Sequence, residues 1–220
     1  MNDNLDQDRV LYRIAKISDA AELAEAHLIC GENQVGSFME KLGKQFLTRY
    51  YKTVLACKYS IIVVGYSQVS GEIYGFHSGS IDTHKQRKYL RKNRFLLAMS
   101  AALCLAKRPK LIPEIYKRYR SLEDDSNTSV VRSGARGEYW AWKPGAPSYG
   151  GAQVHKNWHN IMLALGCLKV RSEVNVSQPR VRKAIIAMGG VILNSTHDFN
   201  GNERLIVEYD LVKYCKRFPL

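Results

Sequence analysis

Apolar and polar positions change period repeatedly along this chain, and each change marks an element. Leu11 to Ile17 alternates and predicts a first strand. Ser18 and Asp19 are N-cap types, so a helix is predicted over Ala20 to Leu28. Phe38, Leu42, Phe46, Tyr50, Val54 and Leu55 recur at helical spacing after Ser37. Ser60 to Ser67 is rich in β-branched residues and predicts a strand. Ser70-Gly71 makes a turn, and Glu72 to Ser80 is its hairpin partner.

Arg87 to Ala106 lacks Pro and Gly and reads as helix. Pro109 and Pro113 then interrupt, and Ile115 to Tyr119 adds a further turn or two. Asp124 to Gly137 reads as a loop, with an apolar pair, Val130-Val131, that fits no element. Downstream come a strand over Glu138 to Trp142, a helix over Gly150 to Leu165 ended by Gly166, and a strand over Leu168 to Val176. Arg180 to Met188 is predicted as a helix ended by Gly189-Gly190, with last strands over Val191 to Asn194 and Leu205 to Val212. The order β-α-α-β-β-(insert)-β-α-β-α-β-β predicts an α/β (α+β) fold with a mixed sheet.

Composition narrows the class. The 220 residues are 45% hydrophobic and 24% charged, which suits one domain over residues 1–220 and argues against wholesale disorder. No stretch reaches the roughly 20 apolar residues of a membrane helix, and the polar, acidic start is unlike a secretory signal. Cys30, Cys57, Cys104, Cys167 and Cys215 are scattered and form no CxxC pair. They predict free thiols in a reducing compartment, hence a cytoplasmic protein. The net charge of +13 is uneven: His84 to Arg120 holds twelve Lys or Arg against Glu114, so that segment carries +11. A helical insertion over about 84–121 is therefore where a charged partner would act.

The richest chemistry lies in Trp142-Lys143-Pro144-Gly145-Ala146-Pro147-Ser148-Tyr149-Gly150-Gly151-Ala152. A strand ends, a Pro/Gly-rich loop turns, and a helix opens on small residues. Free amides at a positive helix end suit a pyrophosphate, and glycine permits close approach. An ordinary loop and helix cap is the plainer alternative. His155 and His159 stand at i,i+4 spacing, as metal ligands on a helix would. No carboxylate or cysteine nearby completes a set, so a helix surface is expected there and no metal is assigned.

The order of elements resembles the GNAT N-acetyltransferase superfamily. Its loop signature, [Gln/Arg]-x-x-Gly-x-[Gly/Ala], is met in its last part by Pro147-Ser148-Tyr149-Gly150-Gly151-Ala152. Ser177-Gln178-Pro179-Arg180-Val181 through Met188-Gly189-Gly190 resembles a later family segment. Pro147 replaces the usual Gln or Arg and lacks an amide donor. Ile185 stands where many members carry a tyrosine acid.

The resemblance implies a GNAT-like, mostly antiparallel twisted sheet flanked by helices. It implies transfer of an acetyl or other acyl group from acetyl-CoA or another acyl-CoA to a small amine, such as an amino sugar or amino acid derivative, with no metal. Trp140, Ala141, Trp142, Tyr149, Gly150, Gly151, Ala152 and Gln153 would hold the co-substrate. Glu138 would be the base, placed by strand parity with Trp140 and Trp142; His77 would line the acceptor side, and Ser177 is a hydroxyl candidate for the acid. Rival readings are an enzyme using an acidic acyl-carrier protein docked on 84–121, or a non-catalytic module of this fold holding an anionic partner there.

Overall fold

The computed structural model describes residues 9–31, 39–116, 133–197 and 201–219. Val130-Val131, most of the polar loop before Gly137 and residues 117–121 of the basic insertion lie outside the described residues.

Seven strands form one sheet in the order β1-β2-β3-β4-β5-β7-β6. They are β1 (Val10–Ile14), β2 (Ser60–Ser67), β3 (Ile73–Ser80), β4 (Ala135–Trp142), β5 (Lys169–Asn175), β6 (Val191–His197) and β7 (Glu203–Asp210). Every pairing is antiparallel except β4 with β5, which is parallel and joins only Ala135–Gly137 to Val170–Ser172. The β2–β3 hairpin is buried along most of its length on both faces, as its β-branched run predicts.

On one face α1 (Ala20–Gly31) and α2 (Gly43–Leu55) bury Leu23, Ala24, Leu47, Tyr51 and Val54 against Ile62, Val64, Ile73 and Phe76. On the other, α5 (Gly150–Ala164) and α7 (Leu211–Arg217) bury Val154, Trp158, Met162, Leu211 and Tyr214 with Val63, Val170, Val207 and Tyr209. Trp158 is fully buried and its indole donates to the Ile61 carbonyl (3.0 Å), which locks α5 to β2. α6 (Pro179–Ala187) adds Ile185 to the second core. Gly166 and Gly189 take φ of +86° and +87°, the left-handed stops expected after α5 and α6.

The basic segment departs from the single predicted helix. It forms α3 (Thr83–Lys92) and α4 (Arg94–Lys107), separated at Asn93, whose side chain donates to the Tyr89 carbonyl (3.0 Å). A local side-chain bond of this kind competes with continuing the ladder. α4 packs on α2, and helical residues 112–116 follow. Boundaries also shift: β1 ends at Ile14 and not at Ile17, α1 runs on to Gly31, and β6 to His197. β4 begins at Ala135, three residues inside the predicted loop, because its first residues pair with β5. β7 ends at Asp210 rather than 212, because the Asp210 carboxylate accepts from the Lys213 amide (3.1 Å) and caps α7.

Among the described residues no helix is long and apolar enough to cross a membrane.

Candidate active site

The site begins where the sheet opens. β4 and β5 are paired only as far as Gly137 and Ser172, and beyond that β4 has no strand partner on its β5 side among the described residues. A register shift against Ser78/Gly79 leaves Glu138 as an extra residue in β4. Such a bulge bends the bulged strand and leaves a backbone unit out of the ladder. Trp140, Ala141 and Trp142 lie past it, paired with β3 on one edge only, so alternate backbone groups on the other edge are open to an extended ligand chain. An Arg136–Glu173 ion pair (3.2 Å), shared with Arg204 (3.6 Å), ties the still-joined part of β4 to β5 and β7.

The β4–α5 loop carries the predicted anion cradle. Tyr149 is the N-cap of α5, no side chain caps the helix, and its first turn holds no acidic residue. The Gly150 amide donates to the Pro147 carbonyl (3.0 Å) and the Gln153 amide to the Tyr149 carbonyl (3.1 Å). These two predicted contacts are therefore used internally. The amides of Gly151 and Ala152 have no acceptor among the described residues. They lie in the first helical turn, where free N–H groups and the helix dipole favour an anion, so the loop fits a diphosphate.

The glycines have a second cause that the sequence did not reveal. A Cβ on Gly150 would run into the Trp142 indole, and one on Gly151 would sit 3.3 Å from it. Trp142 in turn donates from Nε1 to the Pro147 carbonyl (3.0 Å), and Trp140 to the Gly151 carbonyl (2.9 Å). Two indoles thus shape the loop from beneath.

The bulge also corrects a placement. Glu138 does not share the face of Trp140 and Trp142, because the extra residue interrupts the alternation. Its carboxylate instead accepts from Gln86 Nε2 of α3 (3.2 Å), on the α1–α2 side, within the electrostatic reach of Tyr51. Burial raises the Glu138 pKa above its ordinary value, and the charge of Arg136 and the Gln86 hydrogen bond offset this only in part.

Beside it lies a cluster that sequence reasoning missed. His27 of α1 stacks on Tyr139 (centroids 3.9 Å apart, 13° between planes), bonds the Tyr51 hydroxyl through Nδ1 and meets Glu40 through Nε2 (3.0 Å). Burial, then the charge of Glu40, pushes the Tyr139 hydroxyl pKa up. His27 and Glu40 are thirteen positions apart in different elements, so no spacing motif announces them.

His77, the candidate for the acceptor side, lies on the α5 face of the sheet. It is buried between β3 and α5, stacked on Trp158 (4.3 Å) and close to the rings of His155 and His159. His155 and His159 are likewise buried, not on a helix surface, since α5 turns that face into the second core. Ser177 is exposed in the turn after β5, its hydroxyl on Asn175 Oδ1 (3.0 Å), at the end where β4 and β5 part.

No family model matches the sequence, and no curated protein matches it. Solved structures do. A chimera of the spermidine N-acetyltransferase SpeG from Vibrio cholerae and hSSAT superposes with a TM-score of 0.58 at 12% identity, covering 94% of this chain and 99% of that one. PaiA N-acetyltransferase from Thermoplasma acidophilum, solved in complex with coenzyme A, gives 0.56 at 12%, covering 92% and 99%. An acetyltransferase of the GNAT family from Streptococcus pneumoniae gives 0.54 at 13%, covering 91% and 98%. The chain has the GNAT fold. At these identities the likeness fixes the GNAT architecture and leaves the chemistry to the residues of this chain.

Proposed function

We propose that this chain is an N-acyltransferase that takes an acyl group from acetyl-CoA or another acyl-CoA and passes it directly to a small amine. The observation that carries the reading is the conjunction of two openings in one place. β4 and β5 part after Gly137 and Ser172, and the first turn of α5 offers the free amides of Gly151 and Ala152. Acyl-CoA supplies a thioester carbonyl and a diphosphate handle. In this reading the Gly151 and Ala152 amides bind the diphosphate, and the open edge of β4 at Trp140–Trp142 pairs with the extended arm. A backbone N–H near the bulge orients the carbonyl oxygen.

On the other side of β4, Glu138 holds the proton that the attacking amine must lose. Desolvation raises its pKa above its ordinary value, the direction a general base requires. The Glu138 and Glu40 carboxylates both lie near Tyr51 on this side of β4, and a pair of acidic groups suits an amine that arrives as an ammonium. Spermidine acetyltransferases among the structural neighbours accord with a cationic acceptor of this kind.

The test is a thermal-shift series with CoA, acetyl-CoA and longer acyl-CoAs, followed by thiol release with polyamines, amino sugars and amino acid derivatives. The proposal expects a rise in Tm with at least one acyl-CoA and saturable thiol release with an amine. Failure of every acyl-CoA to raise Tm would refute it.

A further inference from the structure

The folded chain assembles a constellation that the sequence separates. His77 on β3 meets His155 and His159 on α5, with ring centroids 4.9 Å and 5.4 Å from His77 and 4.0 Å between the helical pair. One ring nitrogen from each lies within 4.8 Å of the others, and all three residues are buried. We infer that His77, His155 and His159 bind one divalent cation of the zinc class, which staples β3 to α5 in the second core.

Two features support a ligand there. First, polar atoms are stranded: His77 Nδ1, His159 Nε2 and the Tyr209 hydroxyl are buried with no hydrogen-bond partner among the described residues. Groups orphaned together in a dry core are costly, and an ion that accepts their lone pairs removes that cost. Second, two of the rings are oriented from outside. His159 Nδ1 donates to the His155 carbonyl (2.8 Å), which leaves Nε2 with its lone pair. His155 Nδ1 meets the Tyr214 hydroxyl (2.9 Å), which orients that ring and leaves Nε2 as its remaining nitrogen. Orientation by such outer partners is the usual support of a metal-ligating imidazole.

The donor set selects the ion. Imidazole nitrogen suits zinc and its neighbours in the first transition row, not magnesium or calcium. Zinc–nitrogen bonds of about 2.0–2.1 Å require the rings to close by up to roughly 1.5 Å, a side-chain adjustment. A fourth position is bordered by Tyr209, whose ring lies 4.7 Å from His159 and 5.4 Å from His155. The cluster adjoins Trp140, 4.8 Å from His155, and so lies one layer beneath the β4–α5 loop without belonging to the open face of the site.

The full chain, made without a histidine tag and dialysed against zinc and then against metal-free buffer, tests this by metal analysis. The result expected is one zinc per chain, a Tm lowered by a strong chelator and restored by zinc. The restored shift is roughly 5 °C or more at a hundredfold excess over Kd. Cobalt substitution should give the intense visible bands of a four-coordinate site, a readout that does not depend on any variant folding. Substoichiometric zinc with a Tm indifferent to zinc and chelator would overturn the inference and leave a buried water or a dry aromatic core. Full zinc retention in a His77→Asn, His159→Asn double variant would overturn it too, since the ion would then sit elsewhere.

Discussion

Replacing Ala152 by proline removes one N–H from the first turn of α5 and nothing else of consequence. Ala152 is exposed, and its amide has no acceptor within the described fold. Proline is tolerated in a first helical turn, where no ladder bond is broken. Ala152→Pro should therefore fold with a Tm within a few degrees of the parent, while CoA loses a charge-assisted hydrogen bond. Such bonds are worth about 1.5–3 kcal/mol by deletion. The turn is open to water, so the lower end applies, and about 1.4 kcal/mol is tenfold in Kd. Isothermal calorimetry should show CoA binding about tenfold weaker. The contrasting variant is Gly150→Ala, whose methyl group meets the Trp142 indole. Overpacking there should cost about 1–3 kcal/mol of stability, a fall of about 3–10 °C in Tm. If Ala152→Pro stays folded and binds CoA unchanged, the diphosphate does not lie on these amides, and the site must be placed elsewhere.

Three further outcomes are expected. Glu138→Gln should cut thiol release by about a hundredfold or more if Glu138 is the base. It should also stabilise the fold as pH rises: the folded pKa is raised, so the stability Glu138 confers is full below the ordinary value of 4.5 and is lost as pH climbs through the folded pKa. Melting curves at several pH values would show the advantage of the glutamine variant growing with pH, and a constant difference would contradict the desolvation argument. Glu173→Ala leaves Arg136 and Arg204 without their shared carboxylate in a largely buried setting. It should cost about 3 kcal/mol, measured by denaturant unfolding, with Glu173→Gln milder. Asp210→Ala should cost about 0.5–2 kcal/mol by uncapping α7, readable as a fall in Tm without change in CoA affinity.

Much of the architecture follows from short-range rules. The β-branched run at Ser60 to Ser67 could bury both faces only as an inner strand, and its bounds match β2 residue for residue. Gly166 and Gly189 stop α5 and α6 because only glycine takes their positive φ without strain. The opening of α5 on small residues was legible as a helix start at Gly150. Two of the departures have local causes as well: Asp210 capped a short C-terminal helix that a strand pattern had absorbed, and Asn93 divided the basic helix.

The chemistry of individual side chains was decided elsewhere. Strand parity put Glu138 beside Trp140, yet one unpaired residue in β4 sent it to the opposite face, and a bulge depends on two strands meeting, which no window along one of them contains. His27 met Glu40 and Tyr139 only because α1 lies across β4. His77 joined His155 and His159 because α5 lies on β3. A linear pattern determines which elements form and which way their apolar stripes face, since those depend on neighbours within a few residues. Which polar groups those stripes carry into contact is fixed by packing between elements far apart in the chain, and there the tertiary structure alone decides.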